Sequence, residues 1–498
     1  MKFRVTYYLR ILFFLVSAGW LAAPGLQAQN ISLTRGGSSL YQDLSWPQNL
    51  YVQDRLFTAR IGILQGGYLS YTPQPAGSVS QHLDRLYDTR YWRNTGLESE
   101  LLTPAGRETI LREHFGSNGS ARFFNQAEMN WIDIRWHGNR RSYALSVKTR
   151  YASRFEIGRG LFSLEGAQNG DYSAINRSFF QKSQVFHELS FTTAEPLTYL
   201  SGMLSDLSQF VVGITPKFLI AAGYTEVYAD EQIHYDQLAH HWSSTSQFNQ
   251  RASGYMAEFA NDIAGGRYVP GLTRKNLLNP AGYGFGVDAG ISYMITLGDD
   301  LSLLNRGREA TRKALRFNFS LTDIGALFYT GETFGANLDP TVTTLQEEPG
   351  VADRTFYGAP AEYIHFLEPL GLHRMEDQIE LGVDEPKSVF LPSAAHLGID
   401  FMYNVISLSG SAHYTFQDQA FSTSGFGVNS TIEVRPFSPL SIHAGTGFGQ
   451  DQPGYYSGGA RLMTRWFELN ATAVLLRTRG SGSHLFAGAM GGLSIYLN

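Results

Sequence analysis

Charged and imidazole side chains recur at alternate positions of stretches whose intervening residues are apolar. In the first half of the chain they are Asp133, Arg135 and His137, then Lys148, Arg150, Glu188 and Lys217. Asp288 and Arg316 follow, and the C-terminal part adds Asp400, His413, Glu433, Arg435, His443, Arg461, Arg465 and Glu468. Such a row can line a polar solute path, or it can pair internally and stiffen the wall that carries it. A pore selective for one ion sign favours one dominant charge. Both signs are present here, so the ion-pair network is the favoured reading. A path for an apolar solute would need apolar residues on that same face, and Phe186, Met294, Met402, Phe486 and Met490 are too scattered to define a pocket.

An acyl-transfer site needs a serine, a histidine and an orienting polar group together. His187 and Ser190 are three apart and face opposite sides of a strand. Ser411 and His413 share a face, as chance allows in a serine-rich chain. No G-x-S-x-G occurs, and the glycines between 284 and 290 have the wrong spacing for a dinucleotide loop. His234, His240 and His241 lie near Asp230, Glu231 and Asp236, but their spacing matches no standard metal site. The expectation is no enzyme, no cofactor and no metal. A net charge of −5 argues against nucleic acid as a partner.

The elements that must carry these residues are strands. From 485 to 497 the odd positions are apolar or glycine and the even positions are mixed. The same alternation runs through 467–475, 440–444, 426–435 and 406–416. Period two puts the two sets on opposite faces. Successive hairpins with one apolar face, ten or more residues long and rich in charge on the other face, fit a transmembrane barrel better than a soluble sandwich, whose core admits no such charge. Working back from the end, strands are expected near 484–497, 466–477, 454–465, 440–449, 425–435, 405–417, 394–403, 314–328, 283–296, 209–230, 183–194, 141–151, 128–138 and 56–72. The fold expected is thus all-β, an antiparallel barrel of about 14 strands. Parity puts short turns such as 138–140 in the periplasm and the long segments 73–127, 237–282 and 330–393 outside. Short helices are expected at 81–86 and 103–115, the second opening on Thr103-Pro104. The strand-like stretch 253–259 breaks the parity and is placed within an outside loop.

The N-terminus adds the compartment. Lys2, Arg4 and Arg10 precede an apolar run from Ile11 to Ala23, with Ala28 as the last residue of a cleavable leader. This divides the chain into a signal peptide 1–28, a periplasmic segment 29–55 and a barrel 56–498. Without cysteine, an exported chain must rely on its core or on barrel closure. Trp136, Tyr143, Tyr151, Tyr293, Tyr403, Tyr414, Tyr456 and Trp466 fall toward strand ends, as interfacial girdles require.

Several stretches resemble a family in order and spacing. They are AEMNWIDIRWHGNRRSYALSVKTRY (127–151), FEIGRGLFSLEGAQNG (155–170), FVVGITPKFLIAAGYTE (210–226), GYGFGVDAGISY (282–293), FNFSLTDIG (317–325) and LPSAAHLGIDFMYN (391–404). Together they resemble a Bacteroidota-type family of outer-membrane barrels known only as a domain of unknown function. More distantly the chain is similar to the fourteen-stranded fatty-acid transporter barrels and their relatives in type IX secretion. The resemblance implies location and fold, with outer-membrane lipid as the surroundings, and no established activity. Such barrels often carry Asn-Pro-Ala before the first strand. Here that place reads Leu44-Ser45-Trp46-Pro47-Gln48-Asn49, so the resemblance carries no expectation of an N-terminal hatch. Two roles follow: a conduit for a small or amphipathic molecule, or a non-transporting partner in an envelope or secretion complex. A lipid-directed enzyme is the minor third.

Overall fold

Alternating β-branched, aromatic and small residues favour extended backbone, and almost all of the described chain is strand. The computed structural model describes residues 46–52, 57–60, 66–72, 120–138, 140–158, 165–166, 172–197, 208–236, 241–264, 279–297, 313–345, 380–381, 388–417, 419–420, 425–437, 439–449, 455–464, 466–477 and 484–495. The expected leader 1–28, the helices expected at 81–86 and 103–115, Arg465, His240 and the side chains of Phe486 and Met490 lie outside these residues.

In chain order the strands are β1 (Phe57–Arg60), β2 (Gly66–Thr72), β3 (Ser120–His137), β4 (Ser142–Gly158), β5 (Glu165–Gly166), β6 (Tyr172–Pro196), β7 (Ser208–Asp236) and β8 (His241–Gly254). Helix α1 (Tyr255–Ala264) intervenes. Then come β9 (Gly282–Thr296), β10 (Lys313–Tyr329), β11 (Thr333–Leu345), β12 (Glu380–Leu381), β13 (Ser388–Phe390) and β14 (Ala394–Tyr403). The last six are β15 (Ile406–Thr415), β16 (Gly425–Phe437), β17 (Leu440–Gly449), β18 (Tyr455–Met463), β19 (Phe467–Arg477) and β20 (His484–Ile495).

Pairing makes these a closed ring. β1 and β2 both pair with β3 and share one position. The ring continues through β4, β6, β7, β9, β10 and then β14 to β20, fourteen positions, all antiparallel. It returns to its start where Ala59 pairs with Ile495 and Arg60 with Ser494. Closure removes the exposed strand edges that an open sheet would present. All fourteen strands expected from the sequence are present.

The two faces are inverted relative to a soluble protein. Large apolar side chains point outward and are exposed around the ring, among them Leu189, Phe218, Phe285, Phe317, Leu397, Leu408, Ile442 and Leu469. Charged and polar side chains point inward and are buried. No helix among the described residues is long and apolar enough to cross a membrane.

The ring is lopsided. β6 and β7 run 25 and 29 residues, whereas β17 has 10 and β18 has 9. At about 3.3 Å per residue, one side rises far beyond the other, at the end away from the turn at 138–141. In this tall region β7 pairs with β8, and β8 with β11. The structure corrects the reading of 253–259, and with it the view of 237–282 and 330–393 as loops alone. Residues 241–254 are a strand and 255–264 a helix. Parity survives because β8 and β9 occupy one position and run the same way, β8 against the upper part of β7 and β9 against the lower. Gly254, at φ 68°, turns the chain out of the wall, and Ala281 rejoins it by donating its amide to the Ala221 carbonyl at 2.7 Å. The positive φ suits glycine, which has no Cβ to clash. On the outer face the Tyr255 ring covers Gly223 and packs with Val185 and Ala222.

Candidate functional site

The densest chemistry lies inside the ring, on β3, β4, β6, β7, β9 and β10. Lys217 Nζ is 2.6 Å from Asp323 Oδ1, 2.7 Å from Asp288 Oδ1 and 3.9 Å from Glu188 Oε1. Arg150 grips Asp323 with both terminal nitrogens at 3.0 Å, the fork geometry that guanidinium and carboxylate share. It also lies 3.5 Å from Glu188 and 3.9 Å from Glu128. Lys148 bridges Glu128 and Glu188, each at 3.4 Å. Arg150, Glu188, Lys217, Asp288 and Asp323 have side chains no more than 5 % exposed. Charges so far from water are stable only when each meets partners of opposite sign, and this set alternates sign throughout.

Asp323 is the hub, and its backbone explains how it gets there. It sits at φ 54°, in the left-handed region, where the register of β10 slips between Leu321 and Ile324. Its amide donates to Asp288 Oδ1 at 2.7 Å, and its carbonyl accepts from Ser393 Oγ at 2.8 Å. Asp tolerates this conformation better than most residues. The bulge turns inward a residue that strict alternation would point out.

Most of the other sequence-derived residues form pairs of their own, toward the end that carries the turn at 138–141, whereas His413 lies near the opposite end of β15. Arg135 bonds Asp133 at 2.6 Å, and Arg316 bonds Asp400 at 3.0 Å, with Asn318 donating to the same carboxylate at 2.7 Å. Glu433 meets Arg435 at 3.0 Å and Arg461 at 3.7 Å, and Arg461 reaches Glu468 at 3.8 Å. His443 shares a hydrogen bond with Thr472, and the His413 ring lies 6.0 Å from that of His396. His137 bonds Ser142.

Above the ionic hub the inner face turns apolar. Phe186, Leu219, Ala221, Tyr224, Leu327, Tyr329 and Leu391 form one buried cluster. The Arg150 guanidinium lies 5.2 Å from the centre of the Phe186 ring, which joins the two layers. Phe186 is thus one of a compact set, contrary to the scatter expected from the sequence. Met294 and Met402 pack separately with Ala314.

Below the hub, the chain that leads into β1 enters the bore. Residues 47–52 form a short 3₁₀ helix, and Trp46, Gln48, Asn49 and Leu50 are all buried. The Trp46 ring stands 5.8 Å from His396 and touches Gly398. Leu50 packs on Ala144 and Ala194. Between them Pro47 and Gln48 press on Gly213 and Gly290, an inward-facing cross-strand pair. A Cβ at either glycine would overlap this segment, so the two glycines are its seat. The polar contacts of Gln48 are long: its Nε2 donates to the carbonyls of Ile291 at 3.4 Å and Phe319 at 3.5 Å.

The residue pairs weighed for catalysis are engaged elsewhere. His187 bonds Thr149 on the outer face, while Ser190 bonds Ser146 inside. Ser411 donates to Asn429. Glycines 284, 286 and 290 lie in mid-strand in β9, between β7 and β10.

Sequence reasoning missed Asp323 and Glu128, along with the apolar layer's Tyr224, Leu327 and Tyr329. All five lie beyond a register shift from the residues that set the phase: at Asn130/Ile132 in β3, opposite Val185/Phe186 in β7, and at Leu321/Ile324 in β10. A usable signal was present at one of them, since aspartate is depleted in strands and Asp323 sits in the middle of one.

Several solved structures are similar to the chain at low identity. The toluene transporter TbuX of Ralstonia pickettii is 11% identical over 92% of this chain and 93% of that one, with a TM-score of 0.39. CdiB of Acinetobacter baumannii is 9% identical over 76% of this chain and 57% of that one, at 0.21. The siderophore receptor PirA of Pseudomonas aeruginosa is 9% identical over 75% and 77%, at 0.18. The fold itself rests on the chain's own strand pairing. No curated protein matches the chain in sequence. Residues 97–488 match the model of the Family of unknown function (DUF5723), and the chain belongs to that family.

Proposed function

We propose that this chain is an outer-membrane β-barrel that conducts a small, amphipathic molecule and is held shut near its periplasmic end by residues 46–52. The membrane reading is supported by the exposed apolar belt and by aromatic rings near its margins, such as the stacked Trp136 and Tyr143, Tyr403 and Trp466. In this reading residues 1–28 are removed on export, the turn at 138–141 faces the periplasm, and the tall side of β6, β7, β8 and β11 stands outside.

The observation that carries the conduit is the seat of the 46–52 segment. Its apolar anchors include Trp46 and Leu50, and burying a leucine side chain contributes about 1.5–3 kcal/mol. Gln48, in its middle, reaches the wall through hydrogen bonds at the limit of good geometry, and Tyr51 bonds Gln209. Such a segment, lying outside the strand ladder, is displaceable without unfolding a fourteen-strand ring.

The test is solute uptake into liposomes, comparing the mature chain with a variant lacking residues 29–52. Faster entry of small amphipathic solutes through the truncated barrel is expected. Equal uptake by two folded barrels overturns the proposal. The tall side favours a second reading, a partner surface for another envelope protein. That reading predicts a stable complex that forms with the intact chain and is lost when 241–254 is cut back.

A further inference from the structure

A groove crosses the outer face of the wall near the turn end. It holds about 490 Å³, within the range of small-molecule pockets. It starts at Arg141 and Glu195, beside the turn before β4 and at the end of β6, and runs over β7 and β9 to Phe319 and Leu321 on β10. Its floor is shallow-sided where Ala289 stands between Ile214 and Ile291. From β4 to β10 it spans four strand intervals, about 19 Å at ~4.8 Å each, which is the reach of a long acyl chain. Its charged end is bipolar, because Arg141 Nε and Glu195 Oε2 bond each other there with side chains 56% and 38% exposed.

We propose that this groove binds one phospholipid of the periplasmic leaflet, and that it favours a zwitterionic amine headgroup. The acyl chain lies along Ala289, Ile291, Phe319 and Leu321. The headgroup phosphate takes Arg141 and its ammonium takes Glu195, so the two side chains exchange their mutual pair for one with each end of the headgroup. An anionic headgroup without an amine would satisfy Arg141 and leave Glu195 facing a phosphate. The inference rests on the outer-membrane reading above and is independent of whether the bore conducts.

The experiment reconstitutes the full mature chain in nanodiscs of equal phosphatidylethanolamine and phosphatidylglycerol and counts lipids retained after release, by native mass spectrometry. One retained phosphatidylethanolamine per barrel is expected. Ala289→Trp fills the groove and should lose it, while Leu408→Trp, on the outer face of β15, should keep it. Glu195→Gln should abolish the preference between the two lipids, and Arg141→Ala should lower retention of both. Heat-modifiable migration of each variant checks that the barrel has folded. No retained lipid, or equal retention by Ala289→Trp, overturns the lipid site. A chain that never enters the bilayer overturns instead the membrane reading on which the site depends.

Discussion

At the scale of single residues, the inner face is a set of charges that hold one another. Asp323 serves two cations at once, Lys217 at 2.6 Å and Arg150 at 3.0 Å. Asp323→Ala leaves both with less than their share of negative charge in a dry setting. Losing one member of a buried ionic set costs about 3–5 kcal/mol, so the urea midpoint of the vesicle-embedded barrel should fall markedly. Glu195→Gln removes one charge from an exposed site and should leave that midpoint unchanged. Equal midpoints for the two variants would show that the hub is not structural. Most members of the hub were legible in the sequence, because period two alone puts Lys148, Arg150, Glu188, Lys217 and Asp288 on one face. Asp323 and Glu128 were not, because a bulge shifts the phase and nothing in a single sequence marks where an extra residue enters a strand.

At the scale of elements, the notable piece is the 3₁₀ helix inside the bore. The sequence showed Trp46-Pro47 ahead of the first strand but nothing to place it, since its partners lie more than a hundred residues ahead. The seat itself was hidden for a similar reason. Gly213 and Gly290 read as ordinary small residues on a wall, and only their cross-strand pairing makes them one depression. Gly213→Leu should therefore expel the segment. The chain has no cysteine, so Gln48→Cys gives a single reporter. Its modification by a membrane-impermeant thiol reagent should be slow in the parent and fast with Gly213→Leu. Gly410→Ala meets its nearest neighbour at 3.7 Å, an ordinary contact, and should not alter the rate. Helix α1 shows the same limit from another side. The stretch 253–259 does begin as strand, but Gly254 ends it and the helix that follows leaves the wall.

At the scale of the whole molecule, the fourteen-strand ring and the family were both readable, because they depend on repeated features. Turn parity constrains every strand at once, and the ordered stretches from 127 to 404 resemble the family to which the chain belongs. The inverted distribution of charge also makes a prediction at this scale. Leu189→Arg, on the outer face of the ring, should cost about 2–4 kcal/mol if that face meets lipid near mid-depth. Val342→Arg, on the tall side in β11, should cost nothing measurable, since that position stands clear of the belt. Refolding yields into vesicles across a urea series compare the two directly. What the ring's sequence pattern did not convey is that residues 46–52 sit inside its bore. The most direct test is single-channel recording in planar bilayers of the intact chain beside Gly213→Leu. The intact barrel should be closed for most of the record, and the variant should show sustained ionic current. Two folded, inserted barrels with the same conductance, open or silent alike, would contradict a bore gated by residues 46–52.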